Sequence, residues 1–193
     1  MEKLYKHISE KLKTLRQERG WSLDKTAEKT GVSKAMLGQI ERKESSPTIA
    51  TLWKIATGFE ASFSDFLEDS PFPTRTPVLR SGETQQLHPS DDKIKVRSIF
   101  PYDPELKVEV FLNELLPGCE HLSPPHQSGM VEDVIVIEGE MEVLMNGQWQ
   151  VLKKDEGLRF SADQPHGYRN QGNTLARFHD VMHYPREIKN NLV

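Results

Sequence analysis

The segment from Ser33 to Lys43 carries side chains that suit contacts to the bases of DNA. Leu37 and Ile40 recur at helical spacing and form an apolar face that would hold the segment against a neighbouring helix. On the opposite face, where Gly38 is also expected, glutamine can pair with adenine, lysine with guanine, and alanine or methionine can touch the thymine methyl group. The candidate base-contacting residues are Lys34, Ala35, Met36 and Gln39, and the candidate phosphate-contacting residues are Lys43 and Ser45.

Two short helices joined by a tight turn would position these side chains. Ser22 can cap the first helix, Gly31 supplies its left-handed stop, and Ser33 can cap the second. This arrangement is typical of a helix-turn-helix that binds DNA. A plain helical hairpin that contacts other proteins is the alternative that periodicity alone leaves open.

The flanking residues extend the two helices into a small bundle. A longer helix precedes them and ends at Gly20, and a further helix opens at Pro47-Thr48. Ser62 begins a short fifth helix, with Asp65 at the capping-box position. The sequence therefore predicts a five-helix, all-α domain over residues 1–69.

Charge divides the chain into two unlike parts. Residues 1–56 hold 12 Lys/Arg and 7 Asp/Glu, a net charge of +5, whereas residues 57–193 hold 13 Lys/Arg and 22 Asp/Glu, a net charge of −9. A basic first part and an acidic remainder are typical of a DNA-binding domain carried by a body that avoids phosphates. The polar start of the chain, the lone Cys119 and the lack of a long apolar run predict a cytoplasmic protein without membrane contact.

The remainder of the chain changes its periodicity from helical to strand-like. Prolines concentrated in 70–80 predict a stiff linker, and 81–193 forms the second domain. Apolar segments rich in β-branched residues begin at 107, 131, 149, 157 and 176. Asn146-Gly147 separates two of them and favours a type I′ hairpin. These features predict an antiparallel sandwich or barrel.

The stretch over 15–59 resembles the helix-turn-helix of the phage-repressor family, also called Cro/C1 or XRE. The residues that carry the resemblance are Ala27, Gly31, Ser33, Ile40-Glu41, Pro47 and Thr48. The resemblance places Lys34, Ala35 and Gln39 at base-contacting positions. It assigns Arg16 and Glu41 to a structural ion pair, and it implies a homodimer on a palindromic double-stranded DNA operator.

Residues 107–185 resemble a cupin, an all-β double-stranded β-helix or jelly-roll barrel. Pro117-Gly118 opens the first cupin motif, and His126, Glu132 and Gly139 keep its spacing. The second motif provides His166 and Asn170. Two departures stand out: Pro124 occupies the position of the first motif's leading histidine, and Ser161-Ala162-Asp163 replaces a proline-x-glycine.

The cupin resemblance implies a metal site made by His126, Glu132 and His166. Two imidazoles and one carboxylate leave an open position on a divalent metal, with zinc favoured over iron, manganese or nickel. His121 is the nearest candidate to replace the missing histidine, and His88, His179 and His183 are the others. The alternative is a barrel whose histidines only form hydrogen bonds and whose Glu132 forms a salt bridge.

The barrel interior is also the natural pocket for a small-molecule effector. An arginine beside it can pair with a carboxylate through two hydrogen bonds, although for any single arginine surface solvation is the competing interpretation. The candidate effector-binding residues are Arg159, Tyr168, Arg169 and Arg177.

The two domains together resemble bacterial helix-turn-helix/cupin transcriptional regulators, most closely the branch tied to sulfur utilisation. The resemblance implies a dimeric regulator, not an enzyme, that responds to an amino-acid-like metabolite or a sulfur compound. Two alternatives stay open from the sequence. One is a metal-dependent cupin enzyme fused to a DNA-binding domain, and the other is a repressor for which the metal itself is the signal.

Overall fold

The computed structural model describes residues 2–68, 86–87 and 93–185. The predicted linker at 70–80 and His88 lie outside the described residues. None of the described helices combines the length and the apolar character needed to cross a membrane.

The first domain contains four α-helices whose ends follow the predicted capping residues. Ser22 and Ser33 accept hydrogen bonds from backbone N–H groups three residues ahead, and Thr48 does the same before the last helix. Gly31 adopts the left-handed conformation with φ of 66°, which ends the second helix. The helices are α1 (Glu2–Glu18), α2 (Leu23–Thr30), α3 (Lys34–Glu41) and α4 (Ile49–Gly58).

The prediction of a fifth α-helix is wrong. The chain forms a 3-10 turn of three residues, Ser64–Phe66, in its place. Phe63, Phe66 and Leu67 are fully buried and the polar Ser62 and Ser64 are buried as well, so the segment lacks the solvent-exposed polar face of an amphipathic helix. Packing against the second domain, rather than helical periodicity, determines this segment.

The second domain is built from two antiparallel sheets, as the sequence predicted. The six-stranded sheet has the order β1-β2-β3-β10-β5-β8, and the four-stranded sheet has the order β4-β9-β6-β7. The strands are β1 (Gln86–Leu87), β2 (Ile94–Asp103), β3 (Val108–Leu115), β4 (Cys119–Ser123), β5 (Val131–Glu138), β6 (Glu140–Met145), β7 (Gln148–Lys153), β8 (Gly157–Ser161), β9 (His166–Asn170) and β10 (Ala176–His183). Strands β1, β2 and β4 were not anticipated from the sequence.

The Asn146-Gly147 turn confirms the predicted hairpin. Both residues have positive φ, 50° and 76°, and the pairing of Met145 with Gln148 encloses a two-residue loop. Positive φ at both central positions defines a type I′ turn, whose twist matches that of the flanking strands.

Alternation along the strands places a small set of polar residues inside the barrel. On β3 and β10 the inward positions hold the buried Glu109, Asn113 and Asp180 among apolar neighbours. The first domain packs against the same barrel: the Phe63 and Phe111 rings meet edge to face at 5.6 Å, and Tyr102 N–H donates to Ser64 Oγ at 2.7 Å. The polar interior therefore lies beneath residues of the helical domain.

Candidate functional site

The recognition face of α3 is only partly as predicted. Lys34, Ala35 and Gln39 are exposed and Met36 is half-buried. The expectation of an exposed Gly38 is wrong, because this residue is buried; a Cβ there would lie 3.0 Å from the Arg42 guanidinium. Gly38 is therefore not part of the exposed face of α3.

Ion pairs within the domain already occupy the cationic side chains near this face. Lys34 Nζ lies 2.8 Å from Asp24 Oδ2, and Lys43 Nζ lies 3.1 Å from Glu10 Oε1. Both pairs are solvent-exposed, so they hold the lysines weakly and leave them available to another anion. Ser45 is half-buried, with its hydroxyl 3.7 Å from the Met36 sulfur.

The ion pair predicted between Arg16 and Glu41 is confirmed. Arg16 Nε and Nη2 donate to the two carboxylate oxygens at 2.6 and 2.9 Å, and Nη1 donates to the Trp21 carbonyl at 3.0 Å. The two side chains are only 17% and 10% exposed. The pair ties α3 to α1, which is a structural role rather than a role in base contact.

His126, Glu132 and His166 meet inside the barrel, as the family motif implied. Their potential ligand atoms lie within 4.8 Å of one another, and all three residues are buried. Glu132 Oε1 lies 3.1 Å from His126 Nε2 and 3.4 Å from His166 Nε2. Ligand atoms about 2.0 Å from a tetrahedral zinc ion are separated by about 3.3 Å, so the two distances from Glu132 match such an ion.

Neighbouring groups orient the ligand atoms. His166 Nδ1 faces the Gln164 carbonyl oxygen at 2.8 Å, so Nδ1 carries the proton and Nε2 is turned toward Glu132. Tyr168 donates its hydroxyl proton to the second oxygen of Glu132. Such second contacts fix the orientation of metal ligands in known sites.

The charges of the three residues depend on one another. Burial alone would raise the pKa of Glu132, but the two imidazoles outweigh burial and hold this pKa well below its ordinary value. Burial lowers the pKa of His126. For His166 burial acts the same way, but Glu132 outweighs it and the net pKa is raised. The carboxylate is therefore ionised and ready to bind a cation.

All of the buried side-chain atoms that lack a hydrogen-bond partner in the described part of the chain belong to this region of the barrel. These atoms are Asn113 Oδ1, His126 Nδ1, Glu132 Oε1, His166 Nε2 and Asp180 Oδ1. Glu132 Oε1 lies close to both imidazoles, but the angles of these two contacts are not those of hydrogen bonds. Unpaired buried polar atoms are rare and indicate a missing partner such as an ion or a water. The three-residue set therefore fits a divalent metal.

The helical domain closes the cavity beside this set. Ile49, Trp53 and Phe63 line it together with barrel residues, and the Trp53 ring stacks on His126 with 3.9 Å between ring centroids. The cavity has a free volume of about 20 Å³. That is room for roughly one water or ion.

Comparison with known proteins assigns the two domains. Residues 12–66 match the helix-turn-helix family and residues 111–182 match the cupin domain family. The chain is 49% identical over 186 residues to the HTH-type transcriptional regulator SutR of Escherichia coli, covering 96% of this chain and 99% of that protein. The chain belongs to the helix-turn-helix transcriptional regulators that carry a cupin domain.

Two further relatives support the assignment of this regulator. A crystal structure of an HTH_3 family transcriptional regulator from Vibrio cholerae is 47% identical, with a TM-score of 0.82, and the match covers 95% of this chain and 98% of that one. The regulator PuuR of E. coli is 23% identical over 86% of this chain and 89% of its own. These full-length relatives are transcriptional regulators rather than enzymes.

Of the four residues predicted to bind an effector, the structure brings only Tyr168 into the closed cavity of the regulator. Arg169 donates to Glu142 at 2.8 Å, and Arg177 pairs with Glu114 and Glu138. Both arginines adjoin an inward-facing residue on their strand, so alternation turns them outward.

Arg159 lies in a different place from the other two arginines. It pairs with Asp133 and lines a surface pocket of about 400 Å³ that also reaches His166. The residues that line this pocket differ from those that line the closed cavity.

None of the other candidate histidines within the described residues joins the three-residue set. His121 lines the cavity wall but is outside the group whose ligand atoms converge, and Pro124 leaves its place in the motif unfilled. His183 lies 3.0 Å from Asp133 Oδ2. His179 lies between the inward-facing Phe178 and Asp180 on β10, so its side chain points away from the barrel interior.

Asn113, Asp180 and Trp53 are among the cavity residues that reasoning from the sequence missed. Asn113 and Asp180 carried a usable signal, because each is a polar residue at an apolar phase of an alternating strand. Trp53 carried none, since its helical spacing explains it equally well as a residue of the bundle core.

Proposed function

We propose that this regulator senses a small ligand inside its cupin barrel and that Trp53 transmits the binding event to the DNA-binding domain. The observation that carries the proposal is the stacking of Trp53, on α4, against His126 of the candidate metal set at 3.9 Å. A residue of the DNA-binding domain thus forms part of the wall of the sensing cavity. A change in the cavity therefore acts directly on the position of α4.

A divalent metal, with zinc favoured, would be held by His126, Glu132 and His166. When bound, it supplies an open position for a carboxylate, amine or sulfur atom of the effector. Glu132 is held ionised, and His166 Nε2 is directed toward the site by the Gln164 carbonyl. Metal binding must displace a proton from His166, so we expect its affinity to fall as the pH is lowered.

The size of the cavity favours coupling between the effector and the docked domain. Its free volume of about 20 Å³ accepts a water or an ion, and an effector of several heavy atoms needs more space. Ile49 and Trp53 must shift to provide that space. If the effector binds only the conformation in which these residues have moved, its binding increases the population of that conformation. The position of the DNA-binding domain then changes with it.

The output of the switch is binding to a double-stranded DNA operator by a homodimer in the cytoplasm. Lys34, Ala35, Met36 and Gln39 are proposed to contact bases, and Lys43 and Ser45 are proposed to contact phosphates. Three of the four base-contacting candidates are exposed, and α3 is fixed by the ion pair of Arg16 with Glu41. One domain reads one half-site, so a dimer is needed for tight and specific binding.

Fluorescence anisotropy with promoter DNA tests the output. Gln39→Ala should weaken binding about tenfold, because one good base contact is worth about 1–3 kcal/mol. Gln148→Ala, an exposed glutamine on β7, is the matched control and should bind like the wild type. Absence of any salt-sensitive DNA binding by the wild type would refute the proposal.

Trp53→Ala tests the coupling. In the wild type, a bound effector should change DNA affinity, and in Trp53→Ala the effector should still bind while DNA affinity no longer responds. The effector can be sought by mass spectrometry of small molecules released from the purified protein. An unchanged response in Trp53→Ala would remove Trp53 from the mechanism.

A second candidate function is a metal-responsive repressor, in which the ion itself is the signal. The observation in its favour is that the closed cavity has room for an ion but not for a metabolite. DNA titrations with zinc-loaded and chelator-treated protein separate the two functions. Equal DNA affinity in both preparations would exclude the metal-responsive repressor and leave the metabolite sensor.

A further inference from the structure

Arg42 continues the exposed face of α3 toward the carboxyl end of the helix. Ala35, Gln39 and Arg42 are spaced at i, i+4 and i+7, so they lie along one stripe of the helix, and all three are exposed. Gly38 lies beside this stripe, and a Cβ atom there would lie 3.0 Å from Arg42 Nη1. The guanidinium therefore folds back over the glycine, next to the candidate base contacts.

A turn of fixed geometry places Glu44 beside Arg42. Lys43 has a left-handed φ of 63°, and its N–H donates to the Ile40 carbonyl at 3.0 Å. The Glu44 N–H donates to the Gln39 carbonyl at 2.8 Å. These two bonds form a Schellman motif, which closes α3 and fixes the backbone of Glu44. From this place the Glu44 carboxylate accepts hydrogen bonds from Arg42 Nε at 2.9 Å and Nη2 at 2.7 Å.

Helix stability does not account for a carboxylate at this position. The carboxyl end of a helix carries partial negative charge, which favours a cation there and disfavours an anion. Arg42 meets that preference and Glu44 opposes it. The two side chains are 59% and 53% exposed, so their ion pair also adds little to the stability of the fold. The main effect of Glu44 therefore falls on the Arg42 side chain.

The Glu44 carboxylate occupies the place on Arg42 that a DNA phosphate would take. A planar guanidinium binds a carboxylate and a phosphate through the same fork of N–H groups. Lys34 and Lys43 are held by a single contact each to their carboxylate partners, and an ammonium group has three donors that can serve two anions at once. Glu44 engages two donors of the Arg42 fork, so a phosphate that binds this fork must displace the carboxylate.

We propose that Arg42 binds a DNA phosphate and that Glu44 competes with this phosphate for the guanidinium, which lowers the affinity of the regulator for DNA. The inference rests on the proposed DNA binding and adds a contact and an internal competitor to it. The amino-terminal residues of a recognition helix contact the bases, whereas Arg42 lies at the opposite end of α3. Its partner is therefore the DNA backbone. Because a phosphate contact carries no sequence information, the competition acts on the affinity for any duplex.

The test uses the full-length protein and two duplexes of equal length, the promoter DNA and a shuffled sequence of the same composition. Fluorescence anisotropy at several salt concentrations gives the affinity and its salt dependence. Arg42→Ala should weaken binding to both duplexes by a similar factor and reduce the slope of log affinity against log salt by about 1. Arg42→Lys keeps the charge and should keep the slope. Glu44→Gln should strengthen binding to both duplexes about two- to fivefold, which corresponds to the strength of an exposed ion pair.

The double variant separates competition for Arg42 from a general effect of charge. If Glu44 acts through Arg42, Glu44→Gln should change nothing in the Arg42→Ala background. Glu18→Gln removes the same charge from an exposed site on α1 and should match the wild type. Circular dichroism establishes that each variant is folded. Equal strengthening by Glu44→Gln with and without Arg42 would overturn the proposal, because the carboxylate would then act only by its charge.

The outcomes also distinguish this inference from the function on which it rests. If the wild type binds neither duplex in a salt-sensitive way, DNA binding is refuted and the Arg42 contact with it. Salt-sensitive binding by the wild type that neither Arg42→Ala nor Glu44→Gln changes would refute the contact alone. A loss in Arg42→Ala that is confined to the promoter duplex would assign Arg42 to a base and overturn the phosphate contact.

Discussion

The two domains treat their polar groups in opposite ways. On the DNA-binding domain most of the polar side chains proposed to contact DNA are exposed, and the lysines among them form only surface ion pairs, such as Lys34 with Asp24. In the barrel the polar side chains of the candidate site are buried, and several of their atoms have no hydrogen-bond partner, Asp180 Oδ1 among them. One domain is complete without a ligand, whereas the other is incomplete without one.

This difference separates the proposed output of the regulator, DNA binding by exposed groups, from its proposed input, ligand binding by buried groups. Exposed groups can exchange a weak internal partner for a phosphate or a base at little cost. Buried polar atoms without partners raise the free energy of the ligand-free protein. A ligand that forms hydrogen bonds with them relieves this penalty, and the relief strengthens its binding. The junction between the domains, where Phe63 and Trp53 meet the barrel, is where the input must reach the output.

The largest effect is expected at Glu109, whose buried carboxylate joins the two domains. It accepts hydrogen bonds from the backbone N–H groups of Phe63 and Ser64, at 3.3 and 3.0 Å, and from the Tyr184 hydroxyl. Burial raises the pKa of Glu109 from 4.5 to about 7. Between these values the folded protein holds a proton that the unfolded chain has lost, so stability falls as the pH rises.

The expected loss is about 3 kcal/mol between about pH 4.5 and pH 7, at roughly 1.4 kcal/mol for each pKa unit. Chemical denaturation at a series of pH values measures it. Glu109→Gln should lower stability at every pH, because its amide group cannot accept all of these hydrogen bonds. Its stability should fall less steeply with rising pH than that of the wild type, and the slope that is left comes from Asp180 and His166, whose pKa values are also raised. The pKa of Tyr184 is raised well above its ordinary value, so Tyr184 does not titrate in this range. An identical slope in wild type and Glu109→Gln would contradict the assignment.

The same contrast explains which parts were predictable from the sequence. Ser22, Gly31 and Ser33 act on backbone groups within three or four residues, so their sequence neighbours reveal their role. The Asn146-Gly147 hairpin is local in the same way. The expected fifth helix failed because Phe63 and Phe66 pack against a distant domain.

The barrel site depends on contacts between residues far apart in the chain, and no local pattern encodes these contacts. The motif resemblance identified His126, Glu132 and His166, and the structure brings them together. The stacking of Trp53 on His126 joins residues 73 positions apart across two domains. Arg177 was expected near an effector because of its position in the sequence, but the phase of β10 turns it outward.

A smaller effect is expected from breaking the ion pair inside the DNA-binding domain. Glu41→Gln replaces the carboxylate that faces Arg16 with a neutral amide. The free energy of unfolding should fall by about 2 kcal/mol, less than for a fully buried ion pair. The barrel should keep its metal affinity, because Glu41 makes none of its contacts. Denaturation followed by tryptophan fluorescence, together with zinc titration, measures both quantities. A parallel loss of zinc affinity would show that the domains are more tightly coupled than the Trp53 contact implies.

The smallest effect is expected at the cap of the recognition helix. Ser33 Oγ accepts a hydrogen bond from Met36 N–H at 3.2 Å, and Ser33→Ala should cost about 1 kcal/mol. Because the cap fixes the end of α3 that carries Lys34 and Ala35, DNA affinity should fall by more than this loss of stability predicts. Ser33→Asp is the control: it restores the cap but adds an anion facing the phosphates, so it should recover stability and not DNA binding. If Ser33→Asp recovers both stability and DNA binding, this end of α3 does not approach DNA. The base contacts would then be assigned to the part of α3 near Gln39.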